Sequence, residues 1–194
     1  MLLAKLSRDA YLDATQRLER KAFKVLATDT DKRNARQIEL LFEFFHDEDF
    51  FVALRLDGMR RQCCANMVLQ RVGAGELICE QGEVGETFHV ILRGDVRVIV
   101  NGQTKKHLGI GVSFGEISLI GHTDAERKRT ATVMADEDTL LASMTRTDFL
   151  RVQDQKELQD WINKFWVLLT TTIVEVGITA EVEWEAYRQL HVRS

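Results

Sequence analysis

The 194-residue sequence has no proline, only three cysteines and no long uninterrupted apolar run. Cys63 and Cys64 are adjacent and Cys79 stands alone, so they form neither a disulfide framework nor a CxxC metal pattern. A run of about 18 apolar residues, as a membrane helix requires, is missing. The start, MLLAKLSRDAYLD, is too polar for a secretory signal. We therefore expect a cytosolic or nuclear protein without a membrane span, and take the cytoplasm as its location.

Several classes of function lack their sequence signals. The net charge of -4 argues against a general binder of nucleic acids or anionic membranes. No helix-turn-helix is recognisable from residue 170 to 194, so we expect no DNA binding. The stretch LGIGVSFGEI superficially resembles the phosphate loop of protein kinases, but HRD and DFG strings do not occur. No nucleophile, base and orienting group combine, and the five histidines form no metal pattern, so we expect neither an enzyme nor a metal site.

The N-terminal part has helical periodicity, and the whole length suits one domain with helical appendages. Apolar residues recur at threes and fours from Ser7 to Ala27, with Ser7 as an N-cap. This helix could dock a partner or pack on its own domain, and the sequence does not choose. A second helix is predicted around Ile38 to Phe45. Asp57 is predicted to cap a third helix, whose core face carries Met59, Cys63 and Met67.

From Leu69 onward, short apolar runs alternate with glycine turns at intervals of about 8 to 12 residues, which indicates an all-β sandwich or barrel. The clearest strands are Thr87 to Leu92 and Asp95 to Val100, in which apolar residues alternate. Asn101-Gly102 then predicts a tight hairpin. The strands expected after it are Thr104 to Leu108, Thr130 to Met134 and Thr139 to Met144.

The stretch FGEISLIGHTDAERKRTAT, from Phe114 to Thr132, combines groups suited to holding a phosphate ester. Gly115 permits close approach of the backbone, and the carboxylate of Glu116 can accept hydrogen bonds from sugar hydroxyls. Arg129 offers a rigid fork of donors that matches phosphate oxygens. The small neighbours Thr130 and Ala131 leave backbone N–H groups accessible. Either half of the stretch alone would be an ordinary turn or a solvated basic edge.

Together, FGE and RTAT resemble the phosphate-binding cassette of the cyclic nucleotide-binding domain family. The stretch VGAGELICEQGEVGETFHVILRGDVRVIV, from Val72 to Val100, independently resembles the β-roll signature of that family. The resemblance implies a mainly β fold with flanking helices (α+β). It consists of an antiparallel β-roll or jelly-roll barrel with an N-terminal helical bundle and a C-terminal lid helix. The expected divisions are 1–30 (N-terminal amphipathic helix), 31–68 (helical segment), 69–146 (β-roll) and 147–194 (hinge, lid helix and tail).

The resemblance also implies a ligand, cAMP or cGMP, and no further cofactor. Arg129 would pair with the cyclic phosphate, and Glu116 would accept a hydrogen bond from the ribose 2′-hydroxyl. Backbone N–H groups would complete the phosphate nest, from Gly115, Ile117, Ser118 and Thr130. Thr147-Asp148 would begin the hinge, and an aromatic residue of the following helix would cover the purine. The lid candidates are Trp161, Phe165 and Trp166.

Two departures leave an alternative open. No proline precedes Arg129, and the connection from Gly121 to Lys128 is long, which is more similar to the ion-channel members of the family. Asp124 and Glu126 in this connection would repel a phosphate, although neighbouring cations offset them. The rival hypothesis is a β-roll interaction module that has lost nucleotide binding. The leading one is a regulatory domain whose ligand moves the C-terminal helix and so controls a protein partner or an attached effector.

Overall fold

A computed structural model describes residues 8–54 and 57–151 of the chain. Within these ranges a helical N-terminal part precedes a region of short strands. The helices are α1 (Arg8–Leu26), α2 (Ala35–Phe44), α3 (Asp49–Ala53), α4 (Asp57–Asn66), α5 (Ile117–Ile120) and α6 (Arg146–Leu150). The strands are β1 (Val68–Val72), β2 (Leu77–Cys79), β3 (Thr87–Arg93), β4 (Val96–Val100), β5 (Gln103–Leu108), β6 (Ser113–Phe114), β7 (Thr132–Ala135) and β8 (Thr139–Thr145).

The helix predicted from Ser7 to Ala27 is confirmed as α1, and its last turns pack on the rest of the chain. Ala22 and Leu26 are buried in the same apolar cluster as residues of α2 and α4. This packing favours the second of the two alternatives for α1. No described helix combines the length and the apolar character needed to cross a bilayer.

Helices α2 and α4 confirm the predicted periodicity. A capping box begins α2: the Asn34 side chain accepts from the Gln37 backbone N–H, and the Gln37 side chain accepts from that of Asn34. Cys63 and Cys64 are fully buried, which confirms them as core residues. The predicted N-cap Asp57 instead lies in the first turn of α4, where its charge favours the positive end of the helix dipole.

A single arginine side chain ties the helices together. Arg33 donates hydrogen bonds to backbone carbonyls at the end of α1 and near the end of α4, at 3.0 to 3.2 Å. These acceptors belong to Leu26, Thr28, Cys64 and Ala65. Carbonyls at helix ends have no partner within their own helix, so the guanidinium satisfies groups that burial would otherwise leave unpaired.

Two four-stranded antiparallel sheets form the β region, with strand orders β1-β8-β3-β6 and β2-β7-β4-β5. Their facing sides enclose one apolar cluster, to which both sheets contribute, including Ile91, Val98, Val133 and Leu141. The all-antiparallel β fold with flanking helices is confirmed. The barrel is not closed in the described residues, because the two hydrogen-bonded sheets do not join into a ring.

Strand β3 is buried on both of its faces, because it lies between the helices and the second sheet. Phe88, Val90 and Leu92 alternate toward the helical cluster, as predicted, and the Phe88 ring lies 4.0 Å from that of Phe50, centroid to centroid. The other face carries Ile91, which packs between the sheets, and the buried His89. This strand therefore joins the helical layer to the interior of the β-roll.

The Asn101-Gly102 hairpin between β4 and β5 is confirmed. Asn101 and Gly102 have φ values of 51° and 77°, the left-handed conformation that this two-residue turn requires. Gln81 holds the turn from outside, since its amide exchanges hydrogen bonds of 2.8 and 3.0 Å with Asn101.

One strand boundary differs from the prediction. β7 begins at Thr132 rather than Thr130, because the backbone of Arg129 pairs with the turn at Gly82 and Glu83 instead of with β4. Thr147 and Asp148, where the hinge is expected to begin, lie inside the short helix α6. Its N-cap is Thr145, whose hydroxyl accepts a 3.1 Å hydrogen bond from the Asp148 backbone N–H.

Candidate functional site

The FGE turn brings three distant parts of the chain into contact. β6 places Phe114 opposite His89 of β3, and Gly115 then turns with φ +84°. A Cβ atom at Gly115 would lie 2.5 Å from Arg129 Nη1 and 2.9 Å from the Thr87 carbonyl oxygen. Glycine is therefore required here both by the backbone conformation and by the guanidinium packed against it.

The Glu116 side chain is buried at the start of α5, with 8% of the residue exposed. Its Oε1 accepts a 2.6 Å hydrogen bond from the Ser113 hydroxyl. Burial raises the pKa of Glu116, and the Ser113 hydrogen bond and the charge of Arg129 act in the opposite direction. The carboxyl is thus positioned as an acceptor for hydroxyl groups, next to a cation that favours its ionised form.

Arg129 is fixed by both its backbone and its side chain. Its N–H donates to the Glu83 carbonyl and its own carbonyl accepts from the Gly82 N–H, both at 2.8 Å. In the side chain, Nη2 donates to the carbonyl oxygen of Thr87 at 2.9 Å and to its Oγ1 at 3.0 Å. One nitrogen of the guanidinium is therefore anchored to β3.

The other two nitrogens of Arg129 have no such anchor. Arg129 is only 8% exposed, yet Nε and Nη1 have no hydrogen-bond partner within residues 8–54 and 57–151. Nor does any described carboxylate lie within ion-pair distance of this guanidinium. A buried cation with unsatisfied donors is unfavourable unless an anion occupies them. The arrangement suits the binding of an anion, to which charged N–H donors form strong hydrogen bonds.

The long connection from Gly121 to Lys128 uses its acidic side chains internally. Arg127 forms ion pairs with Asp124 and with Glu86. The Glu126 carboxylate accepts a 2.7 Å hydrogen bond from the backbone N–H of His122. Asp124 and Glu126 are thus committed to holding the connection, which removes the main reason to expect them to repel an anion at Arg129.

The remaining predicted site residues are placed as follows. Ile117 begins α5, and Ser118 follows it in the first helical turn, where backbone N–H groups lack intrahelical partners. Thr130 is half-buried next to Arg129, whereas the Ala131 side chain packs into the cluster between the sheets. The structure thus brings Gly115, Glu116 and Arg129 together. The lid candidates Trp161, Phe165 and Trp166 lie outside the described residues.

Three partners of these residues were missed from the sequence: Ser113 at Glu116, Thr87 at Arg129, and His89 next to Thr87. A signal for two of them existed. Strand alternation puts Thr87 and His89 on the face opposite Phe88 and Val90, and polar residues alternating along a strand that is buried on both faces need partners.

Comparison with known proteins agrees with this fold. Residues 69–156 match the family model described as the cyclic nucleotide-binding domain. Among solved structures, the chain is similar to the protein chain in the structure of Sp-2Cl-cAMPS bound to PKAR CBD2. The sequence identity is 22% and the TM-score is 0.52. That similarity covers 68% of this chain and 90% of the other, and at this identity it shows the shared fold.

Proposed function

Residues 69–156 belong to the cyclic nucleotide-binding domain family, and on that premise we propose that the chain binds cAMP or cGMP through Arg129 and Glu116. Binding moves the C-terminal helix and so regulates a protein partner or an attached effector. The β-roll is taken as residues 69–146, preceded by a helical segment at 31–68 and an N-terminal helix at 1–30. The hinge, lid and tail are taken as 147–194, and the protein as cytoplasmic and non-catalytic.

The observation that carries the proposal is the state of the Arg129 guanidinium. It is buried, it is anchored through Nη2, and its Nε and Nη1 are unpartnered in the described residues. The unpartnered N–H groups of Nε and Nη1 are charged donors, and each can donate a charge-assisted hydrogen bond to a phosphate oxygen. A neutral ligand would leave the same cation uncompensated, so the geometry favours an anionic one.

The neighbouring groups supply the rest of the recognition. The Glu116 carboxylate accepts from the ribose 2′-hydroxyl in addition to, or in place of, the Ser113 hydroxyl that it holds now. Backbone N–H groups of Gly115, Ile117, Ser118 and Thr130 surround the phosphate as a nest of partial positive charges. Ala131 contributes its small size at the edge of this nest rather than a contact of its own.

Isothermal titration calorimetry with cAMP, cGMP and 5′-AMP tests the binding. The wild type should bind a cyclic nucleotide, and Arg129→Ala should lose about 3 kcal/mol, or about a hundredfold in affinity. Lys128→Ala is the matched control, since it removes an adjacent but exposed cation and should leave the affinity close to that of the wild type. Equal affinity in wild type and Arg129→Ala would refute the assigned role.

The rival hypothesis, a β-roll interaction module without a ligand, makes a different prediction for the same experiment. It requires no heat and no thermal stabilisation with any of the three nucleotides. A true ligand at about a hundred times its dissociation constant adds about 2.7 kcal/mol to the free energy of unfolding, which a thermal melt detects readily.

We propose that Thr130 influences the preference between cGMP and cAMP. Its hydroxyl lies next to Arg129 and can bridge the phosphate and the 2-amino group of a syn guanine. The proposal is that both nucleotides bind with less than about a hundredfold preference, which corresponds to about 2.7 kcal/mol. If Thr130→Ala leaves the ratio of cGMP to cAMP affinity unchanged, the bridging role is wrong.

The coupling to a partner requires differential affinity of the ligand for two conformations. Trp161, Phe165 and Trp166 are proposed to supply the aromatic lid. Hydrogen exchange with and without ligand should then show slower exchange across 158–169. Slowing that is confined to the segment around Gly115 and Arg129 would refute the lid and leave the binding site standing.

A further inference from the structure

A row of buried and half-buried polar side chains continues from Arg129 across the first sheet. The Thr87 hydroxyl, which accepts from Arg129 Nη2, also lies 3.1 Å from His89 Nε2. His89 Nδ1 lies 2.8 Å from Ser143 Oγ, and Ser143 Oγ donates to Gln70 Oε1 at 2.8 Å. The row crosses β3, β8 and β1, and ends at the half-buried side chain of Gln70. His89 is only 2% exposed.

The direction of every proton in this row follows from its far end. Ser143 has one hydroxyl proton and gives it to Gln70, so Ser143 must accept from His89. His89 Nδ1 therefore carries the proton, and Nε2 offers a lone pair. Thr87 must then donate its hydroxyl proton to Nε2, and the same oxygen accepts from Arg129 Nη2.

The surroundings of His89 also fix the position of its imidazole ring and keep the ring neutral. It stacks on Phe114, the residue before Gly115, with ring centroids 5.0 Å apart. Burial, assisted by the charge of Arg129, lowers the pKa of His89 to about 3. A neutral ring suits the row, because an imidazolium would present a donor to Thr87 where the Thr87 hydroxyl needs an acceptor.

We propose that His89 is a positioning residue for ligand binding: as the neutral Nδ1–H tautomer it orients the Thr87 hydroxyl, and through it the guanidinium of Arg129. Nη2 is thereby held on β3, and Nε and Nη1 stay available to an anion. This inference rests on the proposed function, since the effect to be measured is on the affinity for a cyclic nucleotide.

Two substitutions at His89 separate positioning from simple packing. The side-chain amide of glutamine reaches about as far as Nε2, so His89→Gln keeps an acceptor for Thr87. The shorter His89→Asn keeps a donor for Ser143 but offers Thr87 nothing. We expect His89→Gln to stay within about threefold of the wild-type affinity. His89→Asn should lose about tenfold or more, because the Thr87 hydroxyl then lacks the acceptor that orients it toward Arg129.

Thr87→Val provides a matched variant that leaves the histidine in place. It removes only the hydroxyl and should weaken binding by about tenfold, as His89→Asn does. Because the two act through one contact, the double variant should bind about as well as Thr87→Val alone. Additive losses would mean that His89 acts on the ligand independently of Thr87 and would overturn the proposal.

The tautomer can be read without any ligand. Long-range ¹⁵N NMR of the imidazole rings should show His89 protonated at Nδ1 alone at neutral pH, and an Nε2–H or doubly protonated ring would overturn the proposal. If the wild type binds cAMP or cGMP but both His89 variants and Thr87→Val bind equally well, the positioning role fails and the proposed function stands. If the wild type binds neither nucleotide, the proposed function itself fails, and the positioning role with it.

Discussion

The buried His89 should make the folded protein sensitive to mild acid. The unfolded chain takes up a proton at this histidine near pH 6.5, whereas the folded protein does so only near pH 3. Stability from this group is therefore complete above pH 6.5 and is lost progressively as the pH falls toward 3. A pH of about 5 is about 1.5 units below the pKa of this histidine in the unfolded chain. The free energy of unfolding should therefore be about 2 kcal/mol lower at pH 5 than at pH 7.5.

The wild type alone will not show this loss of stability in acid cleanly, because a buried carboxyl group makes the protein more stable as the pH falls. Burial, with the neighbouring charges of Asp49 and Asp47, raises the pKa of Glu48 to about 7. A raised carboxyl pKa disfavours the fold at high pH, and this penalty disappears as the pH falls. Burial raises the pKa of Glu116 as well, with the same sign of effect. A difference between two variants cancels both contributions.

The assay is urea unfolding of wild type and His89→Gln at about pH 7.5, 6.5, 5.5 and 5, with the difference in free energy of unfolding taken at each pH. This difference should shift by about 2 kcal/mol in favour of His89→Gln between pH 7.5 and 5, almost all of it below pH 6.5. Repeating the pair in a Glu48→Gln background should give the same shift, since the two groups are independent. Parallel curves at every pH would refute the neutral, buried His89 and with it the proton directions assigned to the polar row.

Other substitutions test single contacts of the fold. Gly115→Ala should destabilise the protein by more than about 1 kcal/mol in urea unfolding and weaken ligand binding, because the new Cβ would contact Arg129 Nη1. Gly58→Ala in α4 is the control: the space around Gly58 is open, so this change should stabilise the protein by about 0.5 to 1 kcal/mol. Arg33→Leu leaves four helix-end carbonyls without their donor and should cost about 3 kcal/mol in the same assay. Thr145→Ala removes the N-cap of α6 and should cost about 1 kcal/mol, and unchanged stability would show that the end of β8 holds α6 without it.

Local patterns predicted the elements whose cause is local. The Asn101-Gly102 turn, the alternation of Phe88, Val90 and Leu92, and the periodicity of α1 and α2 depend on residues within a few positions of each other. The capping sequence T-x-x-D that begins at Thr145 is equally local, and the same rule predicts the start of α6 from it.

Elements held by distant partners could not be found in this way. β6 has only two residues, Ser113 and Phe114, and it exists because β3 pairs with it. The late start of β7 is caused by the turn at Gly82, which lies about fifty positions earlier in the chain and bonds to the Arg129 carbonyl. A two-residue strand is too short to have a period of its own, and the first residue of β7 is likewise defined by tertiary pairing.

The same reasoning explains why the motif predicted Arg129 and Glu116 as candidate binding residues but not the residues that support them. A binding residue is recognisable by its chemistry, whereas its support is defined by contacts across the fold: Thr87 lies 42 positions from Arg129, and His89 lies 54 positions from Ser143. A core of apolar residues in place of His89 and Ser143 would avoid the cost of burying polar groups. The row is favourable only as a complete set, because removing one member leaves the next one unsatisfied. The guanidinium has two buried nitrogens to which no described residue supplies a hydrogen bond, and fold stability alone gives no reason to retain this further cost. An anion that fills those two positions would remove that cost, which is why the unfavourable part of this structure is the strongest physical support for a ligand.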